Sequence, residues 1–534
     1  MRGRTVDIEV LDTTLRDGAQ TSGVTFTLQE KLNIAKKLDE LGVSYIEGGW
    51  PGSNPKDISF FKEAKKLELE NSEVVAFGST KRSDMESEED PNVRALVDSD
   101  VDTAVVFGKS WKLHVTDVLK TTVEKNLECV SETVRYLRGQ GMQVIFDAEH
   151  FFDGYKDSRE HAMNVVKAAE EAGARTVVLC DTNGGTLTHE LSAIVTDVRA
   201  HAGAPLGIHT HNDSGLATAN TLVAVVNGAR HVQGTMNGLG ERCGNADLVE
   251  IVPSLELKLG LTSLKSGGEE GLKLLSATSS YVYDLLNIAP DPSHPYVGAR
   301  AFAHKGGVHV DAVMKNSRAY EHIDPSRIGN SRRLLVSELA GKAAVINEAL
   351  KLGLKFEKQN QVVVKTLEEV KKLESRGHFL ESADASIHMM LYRNMGVKTD
   401  FFELLHWTAM ARKHENVITE GQVIVRSGPD VSYAEASGVG PVHAMDLALR
   451  KALVGKFPVL SNTVLSNYKV TVVDGERGTA SMVRVFIEFS DDGRRWGTTS
   501  ASENILEASA QALVDGYNYR LLLEEAGRAK EKTR

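Results

Sequence analysis

Cysteine is scarce: the 534 residues contain three, Cys129, Cys180 and Cys243, far apart and without a CxxC pair. That excludes a disulfide scaffold and points to a reducing compartment, here the cytoplasm. Long hydrophobic runs are missing too, since no stretch approaches the roughly 18 apolar residues of a membrane span. Met1 leads through Arg2 and Arg4 into a strand-like segment with no apolar signal core, so no membrane partner is expected. Positive charge is in deficit, 62 Lys and Arg against 73 Asp and Glu, a net −11, which argues against a nucleic-acid partner. The basic end Lys530, Lys532, Arg534 reads as a solvated tail. The remainder, 41% apolar and 25% charged, is ordinary globular composition, enough for about two to four domains.

From residue 6 to about 250, short β-branched runs alternate with longer amphipathic ones. The runs Val6–Leu11, Val43–Gly48, Val74–Gly78, Thr103–Phe107, Gln143–Phe146, Thr176–Cys180, Leu206–Ile208 and His231–Thr235 predict eight strands. Helices are predicted between them, such as Leu28–Leu41 and Val115–Arg138; the first carries a stripe of Leu28, Leu32, Ala35, Leu38 and Leu41 and stops at Gly42. This alternation implies parallel strands with right-handed crossovers, either a closed (β/α)8 TIM barrel or a doubly wound open sheet. After about residue 260 the alternation fails. Gly267-Gly268 and Pro290, Pro292 and Pro295 punctuate a mostly helical stretch. From about 385, Val423–Val425, Lys469–Val473 and Met482–Phe489 predict an antiparallel sheet. The turns Ser437–Gly440 and Ser500–Ser502 each precede a helix, Val442–Leu453 and Ile505–Tyr517, which reads as a duplicated strands-then-helix unit. The expected organisation is an α/β barrel over 1–262, a helical linker region over 263–384 and an α+β regulatory or dimerising domain over 385–534. A purely structural appendage is the alternative for the last.

Three segments concentrate the chemistry. Asp12-Thr13-Thr14-Leu15-Arg16-Asp17-Gly18 closes the first strand, His209-Thr210-His211-Asn212-Asp213 the seventh, and Gly238–Asn245 follows the eighth. Residues i and i+2 of a strand share a face, so His209 and His211 point the same way. In a closed barrel strand eight adjoins both strand seven and strand one. Asp17, both imidazoles and Asn245 then converge at the C-terminal rim, where barrel active sites lie. The constellation therefore favours the barrel. Two imidazoles and a carboxylate form a divalent-metal set with open positions, suited to Mn2+ or Mg2+, with Zn2+ also admissible. Arg16 beside it would stabilise an alkoxide, or else pair with the rim. Glu149, ending strand five, is an orienter or a rim charge. Thr182, ending strand six, binds a substrate carboxylate or caps a helix.

At these residues the chain resembles a known family. Leu15-Arg16-Asp17-Gly18-Ala19-Gln20 with Lys31, and His209-Thr210-His211-Asn212-Asp213 with Gly215, Ala217 and Ala219, are similar to the two signatures of the α-isopropylmalate/homocitrate/citramalate synthase family. The resemblance implies metal-dependent condensation of acetyl-CoA with an α-keto acid. It assigns Asp17, His209, His211 and Asn245 to the metal and Arg16 to the keto group, and Glu149 to an acidic catalytic position. The stretch Ala301–His309 resembles the linker motif that reaches back over the barrel, often from a partner subunit. His309 there matches a catalytic histidine, and Tyr320, before Ile323-Asp324-Pro325, a catalytic tyrosine. The turn Glu47-Gly48-Gly49-Trp50-Pro51-Gly52-Ser53-Asn54-Pro55 resembles the branch that takes pyruvate more than the branch with Phe-Pro there. Acceptors with a longer side chain, 2-oxoisovalerate or 2-oxoglutarate, are the alternatives. The resemblance further implies a homodimer inhibited by a branched-chain amino acid, isoleucine if the acceptor is pyruvate and leucine otherwise. The rivals are a lyase of the same superfamily, with Cys243 in its Gly-rich loop, and a non-catalytic effector-binding barrel.

Overall fold

The first crossover shows why the elements form where they do. Thr27 accepts from the Glu30 N–H while Glu30 returns a bond to the Thr27 N–H, a reciprocal cap that starts the helix Leu28–Leu41. Gly42 ends it at φ 100°, where an added Cβ would lie 2.4 Å from Ser266 Oγ. The computed structural model describes residues 6–337, 339, 341–413, 417–473, 478–491 and 493–531. Met1, Arg2, Arg4, Lys532 and Arg534, read above as a leaderless start and a solvated tail, lie outside them.

Eight parallel strands follow in order: β1 (Glu9–Asp12), β2 (Tyr45–Gly49), β3 (Glu73–Ser79), β4 (Thr103–Lys109), β5 (Gln143–Glu149), β6 (Thr176–Asp181), β7 (Leu206–Thr210) and β8 (His231–Gly234). They form a closed barrel. β1 pairs with β8 from Glu9↔His231 to Asp12↔Gly234, which excludes the open doubly wound sheet. Leu11, Tyr45, Val75, Phe77, Val105, Ile145, Val178 and Cys180 fill the interior. A larger apolar layer, including Ile34, Leu38, Val130, Val165 and Ile251, packs between strands and helices. At the N-terminal end of the barrel Arg175 Nη2 meets Glu9 Oε1 at 2.5 Å, with Tyr45 and His231 beside them. Burial pushes the Glu9 carboxyl up, but His231 and Arg175 outweigh it and hold it down at about 2.

One predicted helix is corrected. Val115–Arg138 is not continuous: His114–Val118 forms a π-helical turn and Lys120 adopts φ 52°. Thr122 then caps a new helix, Val123–Gly139, by accepting from Lys125 N. The apolar period runs through the break, but the β4 exit must turn before the crossover begins.

The chain packs as two units, 1–302 with 323–332, and 303–322 with 333–534. In the second, β9 (Ala303–His304) and β10 (Arg333–Leu334) pair, and the helices Gly307–Lys315, Lys342–Lys351, Gln361–Glu374 and Asp384–Asn394 share an apolar core. Two three-stranded antiparallel sheets follow rather than one. They comprise β11 (Glu403–Lys413), β12 (Val417–Ser427) and β13 (Asp430–Gly438), then β14 (Val464–Val472), β15 (Val483–Asp491) and β16 (Arg494–Ser502). Each leads into a helix, Pro441–Leu453 and Ile505–Glu531, so the duplicated unit is present. Among the described residues no helix is long and apolar enough to cross a membrane.

Candidate active site

The turn after β1 is latched from both sides. Asp12 accepts from Thr14 N and Thr14 Oγ1, each at 2.9 Å, and Thr14 Oγ1 accepts from Met236 N beyond β8 at 2.9 Å. Burial drives Asp12 up to about 7, only partly offset by Thr14. The latch presents Arg16 and Asp17 to the ends of β7 and β8. There Asp17 Oδ2 lies 3.5 Å from His209 Nε2 and 4.0 Å from His211 Nε2, and the two imidazole nitrogens are 3.2 Å apart. All three side chains are buried. Burial raises the Asp17 carboxyl, yet Arg16, His209 and His211 together bring it below its usual value. Burial lowers both imidazoles, His211 to about 3 with His209 adding to the effect. Two imidazoles that burial keeps neutral, facing a carboxylate, with one ligand atom of each residue within 4.8 Å of the others, form the kind of donor set a divalent cation requires. Asn245 stands next to His211 across a β-bridge. Its Nδ2 donates to Leu239 O, while its buried Oδ1 has no partner. Gly240 permits this approach, because a Cβ there would lie 2.5 Å from Asn245 Nδ2. The residues present therefore fit a metal.

Arg16 Nη1 sits 3.4 Å from Asp17 Oδ2, its Nε donates to Glu47 Oε2 at 2.7 Å, and its guanidinium lies 3.7 Å from the centroid of the Phe77 ring. Burial opposes the Arg16 charge, but Glu47 and Asp17 raise its pKa overall. Glu149 pairs with Lys109. Thr182 caps no helix; its Oγ1 accepts from His150 N at 2.9 Å. Arg16, Asp17, Glu149, Thr182, His209 and His211 line one cavity of about 200 Å³. Asn245 is not among the lining residues. His309 and Tyr320 belong to the second unit, where their rings pair at 4.2 Å.

The cavity also has walls that sequence reasoning missed or left open. Trp50 meets Phe77 and Phe107 edge-on at 5.6 and 5.5 Å, and those two rings stack at 5.2 Å. Asp147 and Cys180 complete the lining beside them. Alternation on β5 was the available signal for Asp147, two residues before Glu149 and on its face. Phe77 and Phe107 looked like ordinary core. Lys31, part of the first signature, is buried below the β2 turn; its Nζ donates to Gly48 O and Asp57 Oδ1, and Asp57 Oδ2 accepts from Trp50 N. That lysine holds the turn carrying Trp50. Cys243 is exposed on the loop after β8.

The fold and this donor set define a metal-site barrel with an appended sheet domain. Residues 7–268 match the HMGL-like family, 296–378 the "Homocitrate synthase post-HMGL domain-like" family, and 381–521 the "LeuA allosteric (dimerisation) domain". The chain is 50% identical over 521 residues to the (R)-citramalate synthase of Sulfolobus acidocaldarius, covering 98% of each. It is 45% identical to that of Geobacter sulfurreducens, over 96% of this chain and 97% of the relative. It is 31% identical to the 2-isopropylmalate synthase of Methanocaldococcus jannaschii, over 97% and 95%. This chain belongs to the citramalate synthases of the α-isopropylmalate/homocitrate/citramalate synthase family, which is metal-dependent.

Proposed function

We propose that this chain condenses acetyl-CoA with pyruvate and releases citramalate and CoA. The observation that carries the choice of acceptor is the aromatic wall of Trp50, Phe77 and Phe107 beside the Arg16–Asp17–His209–His211 cluster. Rings interlocked edge-to-face resist displacement, so a methyl group is accommodated while a longer side chain forces repacking. Asp17, His209, His211 and the amide oxygen of Asn245 would hold Mn2+ or Mg2+, with Zn2+ also admissible. A cation held by these residues would supply Lewis-acid polarisation of the acceptor's keto group. Arg16, fixed between Glu47 and the Phe77 ring, supplies a permanent charge to the keto oxygen as electrons move onto it. Thr182 receives the acceptor carboxylate. By family resemblance His309 removes a proton from the acetyl methyl group, with Glu149 or a water, and Tyr320 assists. The resulting carbanion bonds to the keto carbon, the keto oxygen gains the electron pair and then a proton, and water cleaves the thioester to release CoA.

The C-terminal segment is read as a dimerising domain that binds isoleucine, with leucine the alternative. Its support is the match over 381–521 and the doubled sheet-then-helix unit, whose helix N-termini suit an amino-acid carboxylate. The three free cysteines support a cytoplasmic location over an exported one, and the match over 381–521 supports a homodimer. A thiol-release assay with acetyl-CoA and a panel of α-keto acids tests the whole reading. Pyruvate should release CoA fastest; faster release with 2-oxoisovalerate or 2-oxoglutarate, each at saturation, would overturn the assignment.

A further inference from the structure

Gln233 of β8 is fully buried inside the barrel and was assigned no role above. Its Oε1 lies 2.9 Å from His209 Nδ1, and its Nε2 donates to Asp147 Oδ1 at 2.9 Å. One amide thus joins β7 and β5. An amide has one donor end and one acceptor end. The N–H2 end lies on Asp147 Oδ1, which leaves the carbonyl facing His209. A carbonyl can be satisfied there only by an N–H, so Nδ1 carries the imidazole proton and Nε2 keeps its lone pair. That lone pair is on the nitrogen 3.5 Å from Asp17 and 3.2 Å from His211 Nε2.

We propose that Asp147 and Gln233 are positioning residues for the metal: they select the tautomer and ring plane of His209. Outer partners of this kind orient ligands and strengthen binding. Asp147 also lines the cavity, on the face of β5 that presents Glu149, so the relay ties a metal ligand to the strand beside the acceptor. The inference rests on the metal reading of the site.

The test is calorimetric titration of chelator-stripped full-length enzyme with Mn2+. Gln233→Leu keeps volume and removes both bonds; it should weaken Mn2+ binding about 10- to 100-fold. Gln233→Glu keeps the acceptor for His209 and shares a proton with Asp147, so it should stay within about threefold of wild type. Asp147→Asn, which keeps an acceptor oxygen, should do the same. A purely structural role would lower the melting temperature of the stripped enzyme and leave Mn2+ affinity alone. Wild-type affinity in folded Gln233→Leu overturns the relay. If that variant does not fold, Gln233→Asn, too short to reach His209, carries the same expectation. Equal binding by wild type and Asp17→Ala would instead overturn the metal reading, and the relay with it.

Discussion

The barrel and the C-terminal sheets solve the same problem in opposite ways. Each must satisfy its strand edges. The barrel closes, so all eight strands are paired on both sides and inward-facing residues at one end meet across the axis. That is how Asp17, Glu47, Asp147, His209 and His211, drawn from β1, β2, β5 and β7 or their ends, come to be buried together. The sheets of the second unit stay open. The free side of β16 is met by Asp384 and Ser386, which accept from Gly497 N and Thr499 N. β11, β13 and β14 have no second strand partner among the described residues. Apolar side chains remain on the open face, with Ile418 55% and Tyr433 59% exposed. Closure concentrates charge in a buried cluster; openness leaves apolar surface exposed.

The largest expected effects strike the closed region. Asp17→Ala should lose bound metal and about 10³-fold or more in CoA release together, checked by metal analysis and thiol assay. Retained turnover in metal-free protein would break the comparison at its root. Arg16→Ala should keep the metal yet lose about 10²-fold or more, because an oxyanion-stabilising charge disappears. It should also destabilise the fold, since Glu47 is left buried without its cation. Phe77→Ala and Phe107→Ala enlarge the acceptor wall. Each should shift the kcat/KM ratio of 2-oxoisovalerate to pyruvate upward by about tenfold, the scale of one or two methylenes.

The open region is expected to respond in assembly and not in chemistry. Ile418→Asp with Tyr433→Glu should weaken self-association about tenfold or more by sedimentation and blunt inhibition by isoleucine. Unchanged self-association would remove the assembly role from this face. A cut at residue 385 is a poorer probe, because Ile387, Met390 and Leu391 belong to the core of the linker helices.

The smallest effect concerns the far end of the barrel. Glu9 is held at about 2 instead of 4.5. A depressed acid stabilises the fold above its unfolded pKa and loses that contribution as pH falls through the folded one. The stability gap between wild type and Glu9→Gln, about 1–3 kcal/mol at neutral pH, should narrow from pH 4.5 toward 2 in urea melts. A gap independent of pH would remove the charge from the explanation.

The helix Leu28–Leu41 was legible from its apolar stripe and from Gly42 at its end, signals that lie within the helix or next to it. The pairing of His209 with His211 followed from the two-residue period of a strand; the strand alternation left barrel and open sheet standing, and the convergence of these histidines with Asp17 and Asn245 favoured the barrel. The break at His114–Val118 was not legible, because its apolar period continues unbroken. β11 and β13 were missed because half-exposed strands carry a weak pattern, and β16 because its buried stretch, Trp496-Gly497-Thr498-Thr499-Ser500, is mostly small and polar. The sequence by itself therefore determined the local periods, the caps and the ligand types. Only the tertiary structure decided that Thr14 would be latched by Met236, that Lys31 would hold the Trp50 turn and that Gln233 would bridge His209 to Asp147. Thr14 and Met236 lie 222 residues apart. Local propensity is set by neighbours in the chain, whereas contacts of that separation exist only once the barrel has closed.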